Sequence, residues 1–512
     1  MATTSAPGVF LGVDIGTSGC RALAVDVDGR TLAVAERSYP LSTPAPGWVE
    51  QDPRDWVEGA LAALAEVCSS GAFKPAAIRG IGVDGQSWAC VPVDERGEVL
   101  ADTPIWMDTR CQSLCDEVLA GVPAAEILAL AGNRLSPSYS TAKALWFARN
   151  RPEVYERTRW FLQSNSLIVL ALTGVASQDH SQGYGLHFID VATGRTDAAM
   201  ALRLGVDPEL FPVASEPTAV VGEVTTEASR RTGVPAGTPV VAGGLDAACG
   251  TLGAGVFRPG ETQEQGGQAG GMSIALPAPV ADERLILSRH VVPGTWLLQG
   301  GTVAGSASLA WLTGVVGEAE RTAAEAAGTG RFEQVSALAA LAPAGAGGLV
   351  FLPYLSGERS PLWDPDARGA FLGLTLATGR GELYRAVMEG VAFALRHNLE
   401  VAAAAGAGVS ELRAVGGATR SRLWMQIKAD VTGLPVVVSD NENATPLGAA
   451  MLAALGTGAG TVDDLVARWV RPSVSYRPDP VAHARYDRLY QVYAGLYPAL
   501  ATSMHQLADF VR

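Results

Sequence analysis

Short apolar runs that end in glycine and a carboxylate recur along the chain and set its expected architecture. Val9-Phe10-Leu11-Gly12-Val13-Asp14-Ile15 reads as a buried strand, closed by the turn Gly16-Thr17-Ser18-Gly19. Residues 21–27 alternate as a second strand, Asp28-Gly29 supplies a hairpin turn, and residues 31–39 return as a third. A helix over 53–68 begins with Asp52 as N-cap and Pro53 at its first position. Residues 78–84 form another strand, ending in the polar and aromatic tip Gly85-Gln86-Ser87-Trp88. Helices are expected over 111–120, 139–150 and 161–172, and a strand over 186–189. Near mid-chain, Val240-Val241-Ala242 runs into Gly243-Gly244-Leu245-Asp246, and a small-residue helix follows to about Gly253.

The second half restarts the pattern. Gly266-Gly267-Gln268-Ala269-Gly270-Gly271 turns between short strands, and a strand over 295–301 ends in Gly300-Gly301. Residues 351–361 make an irregular charged and aromatic loop, and 382–404 a long, mostly buried helix. The strand 412–415 enters Gly416-Gly417-Ala418-Thr419, a helix starts near Ser421, and Pro446 opens a further small-residue helix. Strands alternating with helices place the chain in the α/β class. At 512 residues it is too long for one core, and it divides into domains at 1–254 and 255–512. Each domain starts with strand, glycine turn, strand.

Composition narrows the function classes. Hydrophobic residues make up 48% of the chain, enough for two cores. A net charge of -14 without any basic block argues against nucleic acid or an anionic membrane as partner. No run has the length and flanks of a membrane span, and residues 1–8 lack the basic and apolar regions of a signal peptide. None of the six cysteines forms a CxxC pair, so reduced thiols and a cytoplasmic location are expected.

The candidate chemistry lies at strand ends. Asp14 closes an apolar strand, where a carboxylate is costly unless solvated or paired, and hydrated magnesium would be a partner. The Gly16-Thr17-Ser18 turn can aim several N–H groups at one phosphate, although it is neither a Walker loop nor GxGxxG. An ordinary hairpin turn is the alternative. Gln86, Ser87 and Trp88 suit a polyol, the amide bonding hydroxyls and the indole covering a C–H face. Asp108 and Arg110 are candidate hydroxyl or phosphate contacts, or a structural ion pair. Asp246 either caps its helix or acts as a base. Together these parts suit phosphoryl transfer from ATP, with Asp14 at the metal and Asp246 deprotonating a hydroxyl.

The longer motifs resemble the FGGY carbohydrate kinases. Residues 139–147, with Lys143 and Trp146, match that family's first signature, and residues 416–431 its second. Residues 351–361, followed by Asp364-Pro365 and Ala367-Arg368-Gly369-Ala370-Phe371, look like the subgroup that acts on D-xylulose. The resemblance implies two actin-like (ribonuclease H-like) domains around a cleft that holds a sugar or polyol and ATP with Mg2+. It makes Asp246 the general base, also near the metal with Asp14, and the D-xylulose 5-hydroxyl the expected acceptor. It places Gly16, Thr17, Ser18, Gly267, Gln268, Gly270, Gly301, Gly416, Gly417, Ala418 and Ser421 at the nucleotide, and is compatible with a homodimer. Gln86, Ser87, Trp88, Asp108, Arg110 and Asp246 would face the acceptor. Two departures bear on the acceptor: Ser87-Trp88 stands where the subgroup has Met-His, and Asp246-Ala247 where it has Asp-Asn. A third is Gly267-Gln268-Ala269-Gly270 in place of Gly-Thr-Ser-Gly. The alternatives are a kinase for ribulose, ribitol or erythritol, and an ATPase switch like actin or Hsp70.

Overall fold

A computed structural model describes residues 8–439 and 443–510. Most of residues 1–8, considered above for a signal peptide, lie outside that range. The N-terminal sheet centres on the parallel pair Val9–Ile15 and Ile78–Gly85. Gly19–Asp26 and Thr31–Ser38 extend it antiparallel on one side, while Pro239–Val241 and Val220–Glu223 extend it on the other. The central strands are apolar over nearly their whole length because helices cover both faces, as parallel strands require. Helix Pro53–Ser69 buries Trp56, Leu61 and Leu64 against one of them, and Asp52 caps it by accepting the Arg54 N–H.

The C-terminal sheet repeats the plan with seven strands. Glu261–Gly266 pairs antiparallel with Gly270–Leu276 and parallel with Glu411–Val415. Its core contains helix Arg380–Ala404, buried along most of its length, and is closed by Tyr486, Tyr490 and Tyr493 of helix Pro480–Asp509.

Packing does not follow the sequence division near residue 254. Helix Ala444–Gly456, from the second half, lies on the N-terminal sheet and against helix Asp246–Gly253. Contact there is backbone to backbone. A Cβ on Gly12 would lie 1.8 Å from the Pro446 carbonyl oxygen, and one on Gly82 would lie 2.0 Å from that of Ala449. The small residues read from the sequence in this helix are what permit the approach.

Several expectations change at short elements. Residues 186–189 form no strand; a 3-10 turn at Gln182–Gly185 precedes them. The helix expected over 161–172 is Ser164–Thr173, and Trp160–Leu162 instead pairs as a strand with Val91–Val93. The apolar segment Ala124–Ala131 is an additional helix ended by Gly132. All six cysteines are buried free thiols. No helix among the described residues is long and apolar enough to cross a membrane.

Candidate active site

Strand register gathers the carboxylates. Asp14 lies opposite Asp84 in the central parallel pair, and Gly244 lies opposite Asp84 on its other side. Three adjacent strands thus end at one level, at the carboxyl edge where open α/β sheets hold ligands. Asp246 follows directly where strand Gly244–Leu245 ends, near enough to Asp14 and Asp84 for the three carboxylates to act on one another electrostatically. Gly243 has φ +77°, and a Cβ there would sit 1.9 Å from the Val83 carbonyl oxygen. No other residue fits that crossing. Asp246 opens helix Asp246–Gly253 from inside: Leu245 holds the cap position, and the carboxylate accepts a 2.6 Å bond from the adjacent Ala247 N–H. The capping alternative therefore fails.

The three groups differ electrostatically. Burial, then the Asp14 charge, push Asp246 up to about 7, against the Ala247 N–H. Burial also raises Asp14, opposed by its hydrogen bond with Asp84 and by the Arg21 guanidinium. Asp84 is fully buried, and among the described residues no N–H or hydroxyl donor serves either of its oxygens. Burial, then Asp14, hold it well above the carboxylate range. Of the two, Asp84 is driven harder toward its neutral form, which favours the charge on Asp14.

The first turn is braced by side chains rather than left free. Thr17 Oγ1 donates to Gln86 Oε1 (3.3 Å) and accepts from Trp106 Nε1 (2.9 Å). Gln86 Nε2 donates to Gln51 Oε1, whose own amide donates to the Thr17 carbonyl. Tyr39 donates its hydroxyl to the Gly16 carbonyl. Gln86, expected at the sugar, is thus buried and holds the turn. Ser18 is exposed at its tip.

Beside it lies an aromatic pocket. The Tyr184 hydroxyl donates to Ser87 Oγ (2.8 Å), and the Trp88 ring stands 4.2 Å from Tyr139 and 5.5 Å from Tyr184, centre to centre. Trp88 has φ +61°, a strained conformation for a bulky residue, and its indole N–H has no acceptor among the described residues. The buried Lys143, lowered to about 7 by burial, fixes it by donating to the Trp88 carbonyl (2.7 Å). Asp108 and Arg110 lie elsewhere in function. Arg110 bonds Asp108 and Glu50 and lies 3.8 Å over the Trp48 ring, while Asp108 also accepts the Val49 N–H. These partners make them the structural pair rather than acceptor contacts.

In the second domain the glycine turns abut. A Cβ on Gly416, whose φ is +91°, would meet the Gly266 carbonyl group at 2.9 Å. Gly271 pairs with Gly301, and the Gly267 and Gln268 carbonyls accept the Ser306 and Ala307 N–H groups, the first of a helix. Gly270 pairs with Thr302 in the same ladder. Gly416 and Gly417 are exposed, and a Cβ on Gly417 would meet nothing within 4 Å, which leaves room for a nucleotide. Two residues expected there act differently. Ala418 belongs to the core, and Ser421 caps helix Arg422–Thr432 by accepting the Trp424 N–H.

The sequence matches two family profiles in order: the N-terminal domain of the FGGY family of carbohydrate kinases over residues 9–253, and its C-terminal domain over 272–457. The chain belongs to the FGGY carbohydrate kinases. A xylulose kinase of Bacillus subtilis is 29% identical over 493 residues, 95% of this chain and 96% of that one. The crystal structure of xylulose kinase from Rhodospirillum rubrum superposes with a TM-score of 0.87 at 37% identity, covering 97% of this kinase and all of that chain. A gluconokinase of Bacillus licheniformis is 25% identical over 505 residues, 98% of both chains. Two mixed-sheet domains are the actin-like fold of this family, and the kinase transfers phosphate from ATP to a carbohydrate hydroxyl.

Sequence reasoning missed Asp84, Tyr184 and Trp106. The first carried a readable signal, a third carboxylate at the end of an apolar strand. The other two are brought to the site by loops.

Proposed function

We propose that this kinase phosphorylates D-xylulose on its 5-hydroxyl, with Asp246 as general base. The observation that carries the catalytic reading is Asp246 itself: desolvated, beside Asp14, and poised near 7 where a base both ionises and accepts a proton. Asp246 takes the hydroxyl proton as the oxygen bonds to the γ-phosphorus and the bond to ADP breaks. The proton then leaves Asp246 for solvent. Tyr184, Ser87 and Trp88 line the acceptor side, and withdrawal from water keeps hydrolysis from competing. Near full-length likeness to proteins named xylulose kinase supports this acceptor.

Magnesium fits the donor set. Among the described residues no group of three His, Cys, Asp or Glu could hold a metal alone. Magnesium keeps several waters and takes one or two carboxylates plus phosphate oxygens, and Asp14 and Asp246 offer such carboxylates. Asp14, with Asp246 near, would hold it, and the ion would neutralise phosphate charge.

A second reading, another ketose or a polyol, is favoured by Trp88 and Ala247, which remove two hydrogen-bonding side chains from the pocket. Sites that bond hydroxyls discriminate strongly. ADP release across pentuloses, pentitols, tetritols, gluconate and glycerol, with magnesium ATP, separates the readings. The highest kcat/KM on D-xylulose supports the first; a higher value on any other compound overturns it.

A further inference from the structure

Beyond strand Val350–Leu352, the loop over 353–361 sends Arg359 into the cleft. The Arg359 Cζ lies 5.5 Å from the centre of the Trp106 ring, in the other domain. Trp106 is the residue whose indole bonds Thr17 in the first turn. On the second domain's side, a Cβ on Gly301 would come within 3.0 Å of Arg359 Nη2, so that glycine leaves the space the guanidinium fills. Tyr184, of the acceptor pocket, is close enough to exchange charge effects with it. Arg359 therefore stands between the first phosphate-facing turn, the nucleotide-side glycines and the acceptor pocket.

Its charge lacks a paired counter-ion. Among the described residues the guanidinium makes no salt bridge, and its Nε is buried without an acceptor. The neighbouring carboxylate is committed elsewhere, since Glu358 Oε1 accepts the Val303 N–H (2.9 Å) and the Arg359 N–H (2.7 Å). Burial pushes Glu358 up to about 7, so at neutral pH it neutralises the arginine only in part. Arginine does not shed its proton in proteins, and an unpaired cation that is half-buried, as Arg359 is, is costly unless an anion arrives. The loop that imposes this cost is well held: Ser360 Oγ accepts the Gly301 N–H (3.1 Å), and Asn398 donates to the Ser360 carbonyl (3.1 Å).

We propose that Arg359 binds the phosphoryl group in transit, reaching from the second domain to the γ-phosphate of ATP and then to the phosphate of the product. A planar fork of donors matches phosphate oxygens, and a cation fixed before the reaction stabilises the charge that spreads over them. The proposal rests on phosphoryl transfer from ATP and is independent of which acceptor is native.

Arg359→Ala and Arg359→Lys, compared with the unaltered kinase, test it. The probes are ATP, D-xylulose and D-xylulose 5-phosphate, or the best acceptor of the panel and its phosphate. The alanine variant is expected to lose on the order of 10³-fold or more in kcat, the range of an arginine supplied to a phosphoryl group. Affinity for the unphosphorylated acceptor should hold while affinity for its phosphate falls, and millimolar guanidine should restore part of the rate. Lysine keeps the charge without the fork and should lie between. If the alanine variant does not fold, judged by its melting transition and ADP binding, the lysine variant decides through the same product affinity. Turnover of the alanine variant within about threefold of the parent overturns the proposal, as does a loss confined to the acceptor KM. A lysine variant unchanged in both kcat and product affinity overturns it as well.

Discussion

Replacing Asp246 by Asn should cut turnover steeply and make the protein more stable, with a pH dependence that identifies the cause. The carboxyl ionises near 3.8 in an unfolded chain and near 7 in the folded one, because burial and the Asp14 charge oppose its ionisation. Between those values the folded state holds a proton that the unfolded state has released. Stability from this group is complete below about 3.8, is lost as pH rises, and stays lost above about 7. A displacement of about three powers of ten caps that penalty at about 4 kcal/mol. Asp246 opens partly to the cleft, and solvent there reduces the figure to roughly half, about 2 kcal/mol. Asparagine keeps the acceptor for the Ala247 N–H and offers a donor toward Asp14, so it removes the penalty without leaving a group unpaired. Denaturant unfolding of both proteins without nucleotide, at pH 5 and pH 8, measures the difference. The variant should gain more at pH 8 than at pH 5, while its kcat falls about 10²- to 10⁴-fold, the contribution of a general base. In the parent, kcat/KM should decline about tenfold per pH unit below 7. A stability difference that ignores pH, or near-normal turnover, refutes the reasoning.

Three other substitutions probe the surroundings. Asp84→Asn retains a donor facing Asp14 and should keep turnover within several-fold, whereas Asp84→Ala should lose more; equal losses would show that the shared proton does not matter. Gly243→Ala meets both the positive φ and the Val83 carbonyl. It should cost a few kcal/mol in unfolding and, by displacing Asp246, about 10²-fold in kcat; a melting curve and kcat within error of the parent would contradict it. Trp88→His combined with Ala247→Asn restores two hydrogen-bonding side chains. The pair should raise kcat/KM for D-xylulose relative to pentitols by about tenfold or more; an unchanged ratio would exclude those positions as selectors.

Much of this was readable where local chemistry and periodicity agree. The apolar run into Gly243-Gly244-Leu245-Asp246 announces a strand that must cross another backbone closely, and the structure shows why the glycines are obligatory. Long helices such as Arg380–Ala404 follow from composition alone. Runs of three or four apolar residues do not distinguish helix from strand, and at Trp160–Leu162 and residues 186–189 tertiary pairing decides against the local pattern. The site was half legible. Asp14 and Asp246 stand out as isolated carboxylates, but only register shows that Asp84 lies between their strands. Gln86, Asp108 and Arg110 have the right chemistry for an acceptor, yet tertiary partners claim them first.

The backbone contact of helix Ala444–Gly456 with Gly12 and Gly82 has a consequence for how the molecule can be taken apart. A fragment ending near residue 254 would carry the aspartates but not the helix that covers their sheet, so cutting the chain at the family's domain border should not liberate a working half. The same contact makes the two catalytic strands, helix Asp246–Gly253 and this late helix one mounting block. The glycine turns of the second domain, and Arg359, are mounted on the opposite sheet and the loop beside it. Any relative movement of the blocks therefore changes the distance from Asp246 to the opposite sheet while keeping that carboxylate beside Asp14 and the Ala247 N–H.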